Sequence, residues 1–191
     1  MKFPRIILAA TLAVVAHHAW AIDITEPVNK LIAENISYWV EDPALIEAIK
    51  AQNAAHVAFT QADIDKMDKQ WTAEVNQPTK PLIDSVLNNT ASHFLAKVKA
   101  DSKGLFTEIF AMDNKGLNVG QSDVTSDYWQ GDEAKFKKTF PLGAKSVFID
   151  KVEKDDSTQQ LQSQVSMTVV DPADQSPIGA ITIGVNVDML Q

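Results

Sequence analysis

The chain contains no cysteine in 191 residues. A disulfide framework, a thiolate metal site and a cysteine nucleophile are therefore excluded, and stability has to come from packing. Glycine is scarce and unevenly placed, with none before Gly104. The glycine-free stretch 22–102 carries apolar residues at intervals of three and four, a texture that fits helix. Cations are outnumbered, 17 Lys and Arg against 25 Asp and Glu, for a formal net charge of −8. That balance argues against nucleic acid or anionic lipid as a partner. No Gly-x-Ser-x-Gly elbow, no His-Glu-x-x-His and no phosphate loop occurs, so no catalytic residue is assigned and the chain reads as a binding protein rather than an enzyme. His56 and His93 lack a third ligand at metal spacing and read as surface or helix-packing residues. Asp113-Asn114-Lys115-Gly116 lacks the alternating oxygen series of a calcium loop and reads as a turn. No metal and no cofactor is expected.

What is present begins with a leader. Lys2 and Arg5 form a basic head, residues 6–16 a short apolar centre, and Ala19-Trp20-Ala21 a small-residue cleavage site. The apolar run is shorter than the roughly 20 residues a membrane span needs. Cleavage after Ala21 would remove two cations, bring the formal charge from −8 to −10, and leave 170 of the 191 residues in the periplasm or secreted. That length suits one domain, residues 22–191, with 22–103 mainly helical and 104–191 a sheet with one short inserted helix.

In the first half, Thr25 is placed to cap a helix carrying Val28, Leu31, Ile32, Ile36 and Trp39. A second helix starts at Pro43, with Leu45, Ile46, Ile49, Ala54 and Val57 on its core face. Thr60 is placed to cap a third with Ile64, Met67, Trp71 and Val75, whose Asp63, Asp65 and Asp68 form a solvated face. A last helix is predicted over 81–99. The second half reads as a hairpin around Asp113–Gly116, a short helix over 132–139, and strands over 146–154, 159–170 and 179–189. Helices followed by strands make an α+β order, an antiparallel sheet with a long helix across one face.

Three runs carry a family likeness: Ile109-Phe110-Ala111-Met112-Asp113-Asn114-Lys115-Gly116-Leu117-Asn118-Val119, then Asp127-Tyr128-Trp129-Gln130-Gly131-Asp132, then Pro177-Ile178-Gly179-Ala180-Ile181-Thr182-Ile183-Gly184-Val185. In that order they resemble the Cache (PDC, PAS-like) extracytoplasmic sensor domains, here in a free-standing periplasmic form. The resemblance implies a central antiparallel sheet of about five strands, a long amino-terminal helix with further helices packed on the sheet, and a small-molecule pocket. That pocket would lie between one sheet face and the loop and short helix after the first hairpin. Where amino-acid-binding members have Arg-x-Trp-Tyr, this chain has Asp127-Tyr128-Trp129-Gln130-Gly131, and Gly184 stands at the position of their late acid, which argues against an amino-acid ligand.

Seven residues are candidates for binding. Tyr128 and Trp129, in a polar loop, suit the wall of a pocket, the alternative being that they plug the end of the sheet. Asp127 and Ser122 would supply polar anchors. Phe148 and Asp150 on one strand would hold an amine or quaternary ammonium, whereas Lys145 would hold a carboxylate, so the ligand's charge stays open. The expected function is that of an exported sensor-type protein that binds a small polar metabolite and reports it through a membrane receptor or sensor kinase. A homodimer through the amino-terminal helix is implied by the resemblance. The alternatives are an envelope interaction module with a non-functional pocket, docking by its helical half, and a small periplasmic hydrolase using Asp127, Asp132 or Asp150.

Overall fold

The computed structural model describes residues 22–154 and 160–190. The expected leader, residues 1–21, lies outside the described residues, as does Gln159 at the start of a predicted strand. The amino-terminal helix runs through residues 25–39 as α1 (Thr25–Leu31), a π turn (Ile32–Ile36) and α2 (Ser37–Trp39). The wider turn coincides with the Ser37 hydroxyl, which donates to the Ile32 carbonyl five residues back at 2.6 Å. Thr25 does not cap this helix as expected. Asp23 instead accepts from the Thr25 N–H at 3.0 Å, the short-range capture that Asp makes two residues ahead.

Helix α3 (Pro43–Ala55) starts where Asp42 caps the Ala44 N–H and Pro43 takes the first turn. It buries Leu45, Ile46 and Ile49, but it ends before Val57, which is 77% exposed rather than core. Helix α4 (Gln61–Glu74) opens on a capping box between Thr60 and Asp63. The helix predicted over 81–99 is two, α5 (Pro81–Leu87) and α6 (Thr90–Asp101). Asn89 breaks it, because its side-chain oxygen accepts from the Ser92 N–H at 2.8 Å and so caps a new helix.

Strands β1 (Phe106–Met112) and β2 (Asn118–Gln121) form the expected hairpin. Gly116 closes its turn at φ +82°, where a Cβ would also meet the Gly131 backbone at 2.6 Å. A short helix α7 (Ala134–Lys137) and a 3₁₀ turn (Phe140–Leu142) follow. The strand expected over 146–154 is divided into β3 (Val147–Ile149) and β4 (Glu153–Lys154), both paired with β5 (Leu161–Val170). Strand β6 (Pro177–Asn186) is central. The sheet order is β2-β1-β6-β5-β3 with β4 also on β5, and every pairing is antiparallel. The fold is α+β, with six strands where about five were expected.

Strand alternation divides the sheet into two faces. One face presents Ile109, Ala111, Val165, Val169, Ile181, Ile183 and Val185 to Val28, Ile36, Leu45, Ile49 and Leu95 of the helices, and this is the main core. Gly120 lets α6 come close: a Cβ there would lie 2.8 Å from that of Ala91. A second cluster joins α4 and α5 to the hairpin through Ile64, Trp71, Ile83, Val86, Leu117 and Tyr128. Among the described residues, no helix is long and apolar enough to cross a membrane.

Candidate functional site

The face of the sheet turned away from the helices is polar and yet buried. The pairing register aligns Gln121 with Phe110, Phe110 with Thr182, Thr182 with Ser166, and Ser166 with Phe148. Directly opposed residues of antiparallel strands share a face, so these five form one row across β2, β1, β6, β5 and β3. The hydroxyls of Ser166 and Thr182 bond each other at 3.0 Å and both residues are fully buried. Among the described residues, the polar atoms buried on this face without a protein partner include Gln121 Nε2, Asn118 Oδ1 and Thr168 Oγ1. A buried donor left unpaired costs on the order of 1–3 kcal/mol, so such groups are kept where something else satisfies them.

A cap lies over the row. Phe136 of α7 is buried against Phe110, Met112 and Ala180, and Phe140 stacks on Phe136 at 5.5 Å. Two ammonium groups come with the cap, Lys135 at 5.3 Å from the centre of the Phe110 ring and Lys138 at 4.1 Å from that of Phe148. Lys135 is held by Glu133 at 2.9 Å and by the Gln130 side-chain oxygen at 3.3 Å. The Gln130 amide in turn donates to the Asp127 carbonyl at 3.0 Å. That carbonyl also receives the Thr125 hydroxyl at 2.7 Å and the Asn118 amide at 3.1 Å, which ties the loop to β2.

Of the seven sequence-derived candidates, Phe148 alone belongs to the row. Asp127 contributes its carbonyl to the loop, while its carboxylate accepts from the Ser126 hydroxyl. Tyr128 is buried face to face with Trp71, ring centres 5.2 Å apart, and burial, with the nearby Asp113 charge second, pushes its phenol pKa upward. Trp129 is partly buried and its indole donates to the Lys115 carbonyl at 2.9 Å. The N–H groups of Tyr128 and Trp129 both donate to Asp68 Oδ1 at 2.9 Å, so this acid, expected on a solvated face, anchors the loop to α4. Ser122 Oγ accepts from the Ile109 N–H at 2.8 Å and donates to Asp123 at 2.7 Å. Lys145 is exposed, and Asp150 Oδ1 accepts from the Lys151 N–H at 2.8 Å.

His56, expected to be a surface or helix-packing residue, packs at the end of α3. It is buried, stacks on Phe59 at 4.1 Å, and holds Asp113 Oδ2 through Nδ1 at 2.8 Å. Asp113, at the start of the hairpin turn, is fully buried and also accepts from the Lys115 and Leu117 N–H groups and from Gln52 Nε2. Among the described residues no group of three or more His, Asp and Glu could hold a metal ion.

No family model and no curated protein sequence matches the chain. Among solved structures it is similar to the sensor domain of the V. cholerae histidine kinase DctB, at 13% identity and TM-score 0.43, over 86% of this chain and 53% of that one. It is similar to the E. coli DcuS sensor domain at 13% identity and TM-score 0.46, over 86% of this chain and 95% of that one. It is also similar to the sensory domain of the Campylobacter jejuni chemoreceptor Tlp3 with isoleucine bound, at 13% identity and TM-score 0.38, over 87% and 65%. The chain thus spans about half the length of the DctB domain and about two-thirds of the Tlp3 domain.

Proposed function

We propose that residues 22–191 form a single extracytoplasmic, sensor-type domain that binds a small polar metabolite between the polar row and the α7 cap, without turning it over. The observation that carries this reading is the buried row itself, polar at Gln121, Thr182 and Ser166, walled by Phe110 and Phe148, with Gln121 Nε2 unpaired nearby. Small-ligand sites combine apolar walls with a few fixed polar groups in this way. Lys135 and Lys138 at the two ends favour a carboxylate ligand, whereas Asp150, whose carboxylate is occupied by the Lys151 N–H, is less suited to an amine. Asp127, Tyr128, Trp129 and Ser122 then act by holding the loop that supports the cap, and Phe148 by contact. The Cache-like runs of the sequence support the same placement of the pocket.

For the bound state to be reported, the ligand must favour one arrangement of the cap and loop over another. The report would pass to a membrane receptor or sensor kinase in the envelope. A thermal-shift screen against small mono- and dicarboxylates, amino acids and amines tests the reading. At a hundred times its dissociation constant, a ligand adds about 2.7 kcal/mol of stability. A carboxylate hit that weakens about tenfold in both Thr182→Val and Lys135→Met supports the site. A hit indifferent to both substitutions, or a screen flat for carboxylates, rejects it.

A further inference from the structure

A groove with a volume of about 580 Å³ runs between α3 and α6, above Val119 of β2, on the opposite side of the sheet from the polar row. Ala48, Ala51 and Ala55 form its α3 wall at helical spacing, and Ala91 of α6 contributes to the facing one. No lysine lines it, whereas Glu47, Gln52 and His56 do. The last two side chains both donate to Asp113 Oδ2, Gln52 through Nε2 at 3.0 Å and His56 through Nδ1 at 2.8 Å. The Asp113 carboxylate can only accept, so in the neutral ring the proton sits on Nδ1 and Nε2 keeps its lone pair. Gln52, committed through its amide nitrogen, has its carbonyl oxygen left. Among the described residues neither His56 Nε2 nor Gln52 Oε1 meets a protein donor, and neither atom is sealed from solvent, so both are open to a ligand in the groove. Gln52 on α3 and His56 at its C-cap are four residues apart, which brings the two acceptors to the same end of the groove.

We propose that this groove binds a linear aliphatic diamine. One ammonium donates to His56 Nε2 and Gln52 Oε1, the methylene chain lies along the alanines, and the second ammonium meets the Glu47 carboxylate. Glu47 precedes Gln52 by five residues, about 7.5 Å along the helix axis, so several methylenes must separate the two ammonium groups, and pentane-1,5-diamine is the probe of that order of length. Two acceptors and a carboxylate turn away an anionic ligand. Alanine walls, having no side-chain freedom to lose, suit an unbranched chain. None of these residues belongs to the polar row, so this inference and the proposed metabolite site can fail separately.

Calorimetric titration of the whole protein with pentane-1,5-diamine at pH 8 tests it. Saturable one-to-one binding is expected, with pentan-1-amine about tenfold weaker and pentane-1,5-diol weaker still. Glu47 and Ala51 are exposed, so their replacement leaves the core intact. Glu47→Gln should bring the diamine down to the affinity of the monoamine, and Ala51→Leu should abolish binding of both by filling the groove. The double variant Ser166→Ala/Thr182→Val should bind the diamine unchanged. Absence of diamine binding, binding that survives Ala51→Leu in a protein with native circular dichroism, equal binding of the diol, or loss of binding in the double variant would each overturn the proposal.

Discussion

The two faces of the sheet are buried by opposite means. Toward the helices, Ile181, Ile183, Val185, Ile109 and Val165 meet leucines and isoleucines, and the buried Ser163 opposite Val185 spends its hydroxyl on the Asp150 carbonyl. Toward α7, the sheet buries Ser166, Thr182, Thr168 and Gln121 between phenylalanines, with Gln121 Nε2, Asn118 Oδ1 and Thr168 Oγ1 lacking a partner among the described residues. A chain optimised only for stability would fill both faces with aliphatic groups, since each unpaired buried polar atom costs free energy that a methyl group does not. The helix face is thus packed by aliphatic side chains, whereas the polar face carries hydrogen-bonding groups that aliphatic packing does not need.

The largest expected effect that sharpens this contrast comes from Ile183→Ala, which removes a fully buried side chain at the centre of the dry face. Urea denaturation should show a loss of about 3 kcal/mol, and a loss below about 1 kcal/mol would deny that face its dominant role. Asn89→Ala should cost about 1 kcal/mol, because it removes the α6 cap and a bond to the Val119 carbonyl. A smaller effect, read through its pH dependence, is expected where α3 meets the β5–β6 turn. There Lys50 donates to Asp171, and with the Ala173 N–H this holds the Asp171 pKa below its ordinary value while raising that of Lys50. A depressed carboxylate pKa stabilises the fold above the unfolded value near 4 and loses that contribution as pH falls through the folded value. Asp171→Asn should thus be less stable than the parent at pH 6 and converge with it toward pH 2, and a constant difference across that range would argue against the assignment. The smallest stability change should come from Ser166→Ala/Thr182→Val, within about 0.5 kcal/mol of the parent, because both partners of the bond leave together. A large loss there would mean that the polar row is structural and would break the comparison.

Local signals in the chain were sufficient for the helix start at Pro43, the cap at Thr60, the hairpin at Asp113–Gly116 and the helix-then-strand order, because each is decided by residues a few positions apart. Elements decided at a distance were not legible. Asn88 and Asn89 occupy what reads as the polar side of one long helix; the Asn89 cap on Ser92 is local, but the bond from its amide to the Val119 carbonyl, thirty residues on, fixes it there and leaves no trace in the local pattern. Ser166, Thr168 and Thr182 alternate with aliphatic residues as any solvent-facing side of a strand does, and nothing local indicates that α7 folds over them. His56 and Asp113 are separated by 57 positions, so their contact left no spacing to notice. Phe148 was found for its strand position, whereas Tyr128 and Trp129 drew notice as aromatic residues in a polar loop, and their partners Trp71 and Asp68 lie on α4.

The ends of the sheet carry a last consequence. Its outermost strands are short: β2 has four residues, β3 has three, and β4 beside it has two. Beyond β2, a bridge from Leu117 to Trp129 already occupies backbone groups along that border. Neither border offers the length of free main chain that an incoming strand needs for stable addition. Among the described residues, the side-chain surfaces of helices and loops are thus better suited than the sheet borders to meeting another molecule.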